Sequence, residues 1–291
     1  MTPSVPSQDP RLPPELERLT FEMAASTLGS IFYLILVASR VKEWVEPLLY
    51  RVIASGNHAP GRPIAPLAAV VATFGSKPFA FWSTNVKSFF LYHDPATDHL
   101  NDDALLRIIA ACTGLVRLRA HYARPHRPNF RPLSVLGNFH ALRYLTTEIT
   151  TLFGDATTID FTHPVFRNLT HLELIDALSS FDTAHQICTG LTDIPNLTHI
   201  AFMTEMLGKA LQPLLHLFTH LRAIVALGTR DEDLFTELTT EDRFVWIGQH
   251  DFANDWLSGA DTGEDHWTLA DEFIAARRAG KVDRSRFYIY D

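Results

Sequence analysis

The sequence predicts an α/β fold: a solenoid of parallel strands and helices, preceded by a small three-helix unit. Three observations predict it. The frame apolar-x-x-apolar-x-apolar recurs six times between Val86 and Ala226, its copies 24–29 residues apart. The stretches between copies carry helical periodicity. Of the 291 residues, 46% are hydrophobic and 20% charged, enough apolar surface for one extended core.

The elements come in chain order. Residues 1–10 are rich in proline and read as a disordered N-terminus with no secretory signal. A helical pattern opens at Arg11-Leu12-Pro13-Pro14-Glu15-Leu16, where proline is tolerated because a first-turn N–H has no partner to lose. Leu16, Leu19 and Met23 continue it, and Gly29-Ser30 ends it. Ile31, Leu34, Ile35 and Ala38 form a second stripe. Val41, Trp44, Val45, Leu48, Leu49 and Val52 form a third, which Pro47 should kink or divide. Three short helices in 11–54 make too small a core to stand alone, so they must lean on the next part of the chain. The longest apolar run, Ile31 to Ala38, has eight residues. A membrane span needs roughly 20, so no membrane partner is expected.

Residues 55–80 approach the repeat and 81–248 carry it. The copies are Val86-x-x-Phe89-x-Leu91, Leu115-x-x-Leu118-x-Ala120, Leu142-x-x-Leu145-x-Thr147, Leu169-x-x-Leu172-x-Leu174, Leu197-x-x-Ile200-x-Phe202 and Leu221-x-x-Ile224-x-Ala226. A weaker seventh is expected to start at Phe244, with Ile247 in its fourth place. One strand–helix unit cannot bury its own apolar face, but stacked units share a core. The spacing is that of leucine-rich repeats. Helices are expected over Asp102 to Ala111, Thr183 to Leu191, Met206 to Phe218 (divided by Pro213) and Thr268 to Arg278. The N-terminal helices should close one end of the stack. Residues 249–291, ending in the apolar Phe287 to Tyr290, should cap the other.

Leu12-Pro13-x-Glu15-Leu16, an apolar helix reaching Val37, and then Trp44 resemble the F-box, a three-helix unit that docks onto a Skp1-type adaptor. Trp44 comes seven residues after Val37 where the pattern has about four, and Gly29-Ser30-Ile31 replaces the usual acidic-leucine pair. An F-box-like unit followed by leucine-rich repeats is similar to the fungal-type F-box leucine-rich-repeat family. The resemblance implies adaptor contacts at Leu12, Pro13, Leu16, Leu34, Val37 and Trp44. It also implies a non-catalytic substrate receptor of an SCF-type ubiquitin ligase, whose repeats bind the target. Alternatives stay open: a repeat scaffold whose residues 11–54 only cap the stack, or an enzyme with a pocket between the repeats and the C-terminal segment.

No catalytic motif argues for the enzyme. The 14 glycines form no phosphate loop, and no GxSxG elbow occurs. His216 and His220 lie four apart without a following glutamate, and His93-Asp94 with Asp98-His99 surrounds Pro95 as a polar loop would. Asp102-Asp103 is explained by a helix N-terminus. Cys112 and Cys188 lie in apolar stretches and read as inert buried thiols of a reducing compartment, cytoplasmic or nuclear. No cofactor and no metal are expected.

The outward places of the frame carry the candidate partner surface: Tyr92, Arg117, Arg119, His121, Tyr144, Glu148, His171, Glu173 and His199. The apolar outward places Ala201, Met203, Val225 and Leu227 are expected to contact the cap. The loop Arg124 to Arg131 adds three arginines. The formal charge of −8 argues against nucleic acid, but it is unevenly spread. Residues 104–147 carry +7 and residues 231–291 carry −9. An acidic or phosphorylated protein target is expected for the basic island.

Overall fold

The computed structural model describes residues 12–26, 29–55, 64–92, 101–121, 132–154, 156–178, 180–203, 205–228, 238–248 and 251–289. The expectation for residues 1–10 therefore lies outside the described residues. The fold is α/β. Three helices, α1 (Pro14–Ala25), α2 (Ile31–Leu34) and α3 (Ser39–Leu49), precede β1 (Val52–Ala54) and β2 (Ile64–Pro66). Then come α4 (Leu67–Thr73), α5 (Phe79–Asn85), β3 (Ser88–Leu91), α6 (Asp102–Ala111), β4 (Arg117–Ala120), α7 (Leu133–Leu136), β5 (Tyr144–Thr147) and α8 (Ile149–Phe153). The chain continues through β6 (His171–Leu174), α9 (Phe181–Gly190), β7 (His199–Phe202), α10 (Glu205–Leu211), β8 (Ala223–Leu227) and β9 (Phe244–Ile247). It ends with α11 (Phe252–Asp261), α12 (His266–Arg278) and β10 (Tyr288–Ile289).

Among the described residues, ten strands form one parallel sheet, ordered β10-β9-β8-β7-β6-β5-β4-β3-β1-β2. Ser88, Arg117, Tyr144, His171, His199 and Ala223, each at the third place of its frame, pair in unbroken register. The fourth-place residues Phe89, Leu118, Leu145, Leu172, Ile200 and Ile224 are all buried in one core with α4–α10. Side chains tie each repeat to the last. The tetrapeptide Asn-Leu-Thr-His occurs twice, at 168–171 and 196–199. Asn168 donates to the His140 carbonyl (3.1 Å) and Asn196 to that of Arg167 (2.8 Å). The Thr170 and Thr198 hydroxyls lie 3.2 and 3.1 Å from the carbonyls of Arg143 and Thr170.

The structure corrects several expectations. Phe244 pairs with Ile224 and Ile247 with Leu227, so Phe244 fills a fourth place and does not open a frame. Phe244 and Trp246 point into the helix-side core, which sets that register. Val52 does not continue the third helix. It begins β1 and pairs with Ser88, so the repeat starts earlier than Val86. Pro47 neither divides nor shortens α3 by more than its last turn, since the helix runs on to Leu49. The sheet is also not strictly sequential, because β2 lies outside β1 and the chain returns past β1 to β3. Pro66 ends β2 at this edge, where a missing N–H breaks no ladder.

The largest difference concerns the C-terminal segment. It does not merely cap one end but runs along the face opposite α4–α10. Trp267, Ala270 and Ile274 of α12 pack on Ala201, Ala223, Val225, Leu227, Val245 and Ile247. Trp256, Leu257 and Ala260 of α11 pack on Val52, Ala54 and Phe90. The sheet is thus covered on both faces, in three layers. The reason lies in the outward columns. They are apolar at both ends of the sheet, and apolar surface must be buried. The polar outward residues gather in the middle, over β4–β6 and His199 of β7.

Candidate functional site

That polar middle holds most of the candidate partner residues. At the third places, the Arg117 guanidinium lies 3.8 Å above the Tyr144 ring. Tyr144 stacks on His171 at 4.2 Å, and His171 on His199 at 4.1 Å and 9°. The pleat sets this column, because third-place side chains of neighbouring parallel strands leave the same face about 4.8 Å apart. Trp267 of α12 meets both imidazoles edge-on, at 5.2 and 6.0 Å. At the fifth places, Arg119 donates to Glu173 Oε1 (3.3 Å), and the Thr146 hydroxyl donates to Oε2 (2.7 Å). Arg119 Nε is buried without a hydrogen-bond partner among the described residues. At the seventh places, Tyr92 stacks on His121 (5.3 Å), and His121 Nδ1 lies 3.4 Å from Glu148 Oε1.

The roof over this cluster comes from the C-terminal helices. Asp265 serves two partners. One oxygen accepts the backbone N–H groups of Trp267 and Thr268 at 3.1 Å, capping α12. The other accepts Arg117 Nη1 at 2.7 Å, pinning the helix to the sheet. Asp271 Oδ1 faces His199 Nε2 at 3.2 Å, and Asp255 Oδ2 faces His266 Nδ1 at 2.7 Å. Gly259 makes the approach possible, since a Cβ there would overlap the Asp265 carboxylate and the Arg117 guanidinium.

Burial and charge act differently on the three histidines. Burial, helped by the charges of His199, Arg117, His266 and Arg222, pushes His171 down to about 2. Burial also lowers His199, although the hydrogen bond and charge of Asp271 oppose it. His266 is buried too, yet the Asp255 hydrogen bond and the charges of Glu173, Asp255 and Asp265 hold it above its ordinary value. Asp176, buried beyond the C-terminal end of β6, is raised by desolvation and accepts the Ile149 and Thr150 N–H groups.

The expected open partner surface is therefore corrected. Arg119, Glu173 and His199 are buried, Arg117 is nearly so, His171 lies under Trp267, and Tyr144 packs against the apolar cluster that holds Trp267. The chain's own acidic segment supplies an acid for the basic island, at Asp265 against Arg117. Only Tyr92, with 48% exposure, and the half-buried His121 and Glu148 reach the rim. The loop Arg124 to Arg131 and the residues His93, Asp94, Asp98 and His99 lie outside the described residues. Sequence reasoning missed Asp255, Gly259, Asp265, His266, Trp267 and Asp271. The opposed charges of residues 104–147 and 231–291 were the signal that could have found them.

The thiols of Cys112 and Cys188 are buried and pushed up to about 12 by desolvation. His216 sits on a short 3-10 segment, its Nδ1 3.1 Å from the Pro213 carbonyl oxygen. Among the described residues, no three His, Cys, Asp or Glu side chains group as a metal ion requires. No helix among them is long and apolar enough to cross a membrane.

The N-terminal unit presents a different surface. Its core is Ala25, Ile31, Val41 and Val45, with Leu34 and Trp44 packed against it. Of the expected adaptor contacts, Leu12, Pro13, Leu16 and Val37 face solvent, whereas Leu34 and Trp44 turn inward. Leu19, Met23, Phe32, Tyr33 and Leu36 are exposed beside them, Leu36 by 80% and Tyr33 by 76%. Tyr50 joins the unit to the first repeat through edge contacts with Phe81 and Trp82, and Lys77 pairs with Glu46 at 2.8 Å. In comparison with known proteins, no family model matches the chain and no curated protein matches it.

Proposed function

We propose that the protein is a non-catalytic interaction protein of the F-box-like leucine-rich-repeat kind. In this role it is a substrate receptor of an SCF-type ubiquitin ligase in the cytoplasm or nucleus. Its N-terminal unit docks onto a Skp1-type adaptor, and its repeat body takes the target. One observation carries the reading: the cluster of exposed large apolar side chains on α1 and the α2 segment, from Leu12 to Val37. So many exposed large apolar side chains on one small unit mark an interaction site. Burying each such side chain contributes about 1.5–3 kcal/mol. The docking surface comprises Leu12, Pro13, Leu16 and Val37, extended by Leu19, Met23, Tyr33 and Leu36. Leu34 and Trp44 support it from within. The target meets the rim at Tyr92, His121 and Glu148, because the polar middle of the sheet is roofed.

The contacts of Tyr50 and Glu46 with the first repeat support a second reading, in which the unit is a cap alone. Co-purification separates the two. The full chain is expected to retain a Skp1-type adaptor. A Leu16→Asp/Val37→Asp variant, changed only at exposed positions, should lose it at unchanged thermal stability. A full chain that retains no adaptor overturns the proposal and leaves the cap.

A further inference from the structure

The His171–His199 pair sits where α12 leaves the elbow after Asp265 and meets the sheet. The two rings are parallel at 4.1 Å, with Trp267 edge-on to both. The charged and titratable groups around them come from every packed element. Arg117 and Tyr144 lie on β4 and β5, and Arg222 precedes β8. Asp265, His266 and Asp271 come from α12 and its cap, with Asp255 behind on α11. Carboxylates reach this site at His199 and Arg117, while His171 faces cations and rings.

The far half of α12 is held separately. Arg277 donates to the carbonyls of Asp242 (2.6 Å), Phe244 (3.1 Å) and Arg286 (3.0 Å). Ile274 is buried among the apolar residues of β8 and β9. The helix is thus anchored near its C-terminal end, whereas its N-terminal end is held by the Asp265 and Asp271 contacts together with the buried Trp267 and Ala270.

We propose that this contact is an acid-released latch: on acidification the elbow after Asp265 and the first turns of α12 lift from the sheet around the Arg277 anchor, uncovering Arg117 and Tyr144, while α11 stays on its apolar contacts with Val52, Ala54 and Phe90. Two imidazoles stacked this closely beside Arg117 cannot both take a proton without repulsion. In the closed state His171 stays neutral and burial holds His199 toward its neutral form; in the lifted state both reach water and titrate near the ordinary value of 6.5. Their closed-state values are lowered, so the closure they support is complete above pH 6.5 and is lost as pH falls below it. His266 has the opposite sign but does not interfere. Its closed-state value is raised, so below pH 6.5 it carries its proton in both states.

Amide hydrogen exchange of the full chain between pH 6.5 and 5, corrected for intrinsic exchange rates, tests the latch. The opening constant of residues 266–271 should rise about tenfold per pH unit for each proton taken up, with a slope between one and two. Residues 244–247 and 274–278 should stay protected. His171→Gln should lower the slope by about one proton, and His199→Asn by up to one. A wild-type slope near zero overturns the proposal without any variant. So does an opening of 266–271 that tracks the exchange of β9, or a slope that survives both substitutions.

Discussion

Gly259 shows how tightly the roof is fitted. Its Cα faces the Arg117–Asp265 pair so closely that a methyl group has no room. Neither neighbour can yield cheaply, because Asp265 also caps α12 and Arg117 is stacked on Tyr144. Gly259→Ala should destabilise the protein by about 1–3 kcal/mol through overpacking. Asp265→Ala should cost more, about 3–5 kcal/mol, since it strands a mostly buried guanidinium. Urea unfolding midpoints at constant m-value check both. Equal stability of Gly259→Ala and wild type would contradict so close a fit. The polar middle thus fixes where the elbow sits, with Arg117 and Arg119 each facing a carboxylate.

At the scale of elements, the repeated Thr-His pair links strand to strand. The Thr198 hydroxyl lies 3.1 Å from the Thr170 carbonyl and 2.8 Å from His199 Nδ1. Thr198→Val keeps the shape and loses both bonds, so it should cost about 1 kcal/mol. It should also free the His199 ring, visible as a shifted imidazole resonance. A silent substitution would show that the ladder is carried by the backbone alone. Strands β3–β8 were legible because each repeats one frame, and a six-fold recurrence outweighs the commonness of leucine. Helix α6 was legible to the residue, with Asn101 capping it by accepting the Asp103 N–H. Strands β1 and β2 were not, being three residues long and carrying no complete frame. The helix α12 was visible in outline, but its placement was not. Periodicity fixes which face of a helix is apolar and leaves open which apolar surface will receive it. The exposed side chains Leu19, Tyr33 and Leu36 were missed for a related reason. In sequence they look like core, and only the smallness of the unit leaves them outside.

Over the whole molecule, the uneven charge gains an explanation. The basic stretch 104–147 and the acidic stretch 231–291 meet across the inner face, at Arg117 with Asp265. Part of the polarity expected to serve an outside partner is therefore satisfied within the chain. Among the described residues, the candidate surfaces that remain are the apolar face of the N-terminal unit at one end and the Tyr92–His121–Glu148 rim along the sheet. The most direct test is a hydrogen-exchange footprint of the full chain with and without a purified Skp1-type adaptor at neutral pH. Added protection is expected within residues 12–37, with strands β4–β7 unchanged. No protection in 12–37, or protection that falls on the inner face, would contradict the account.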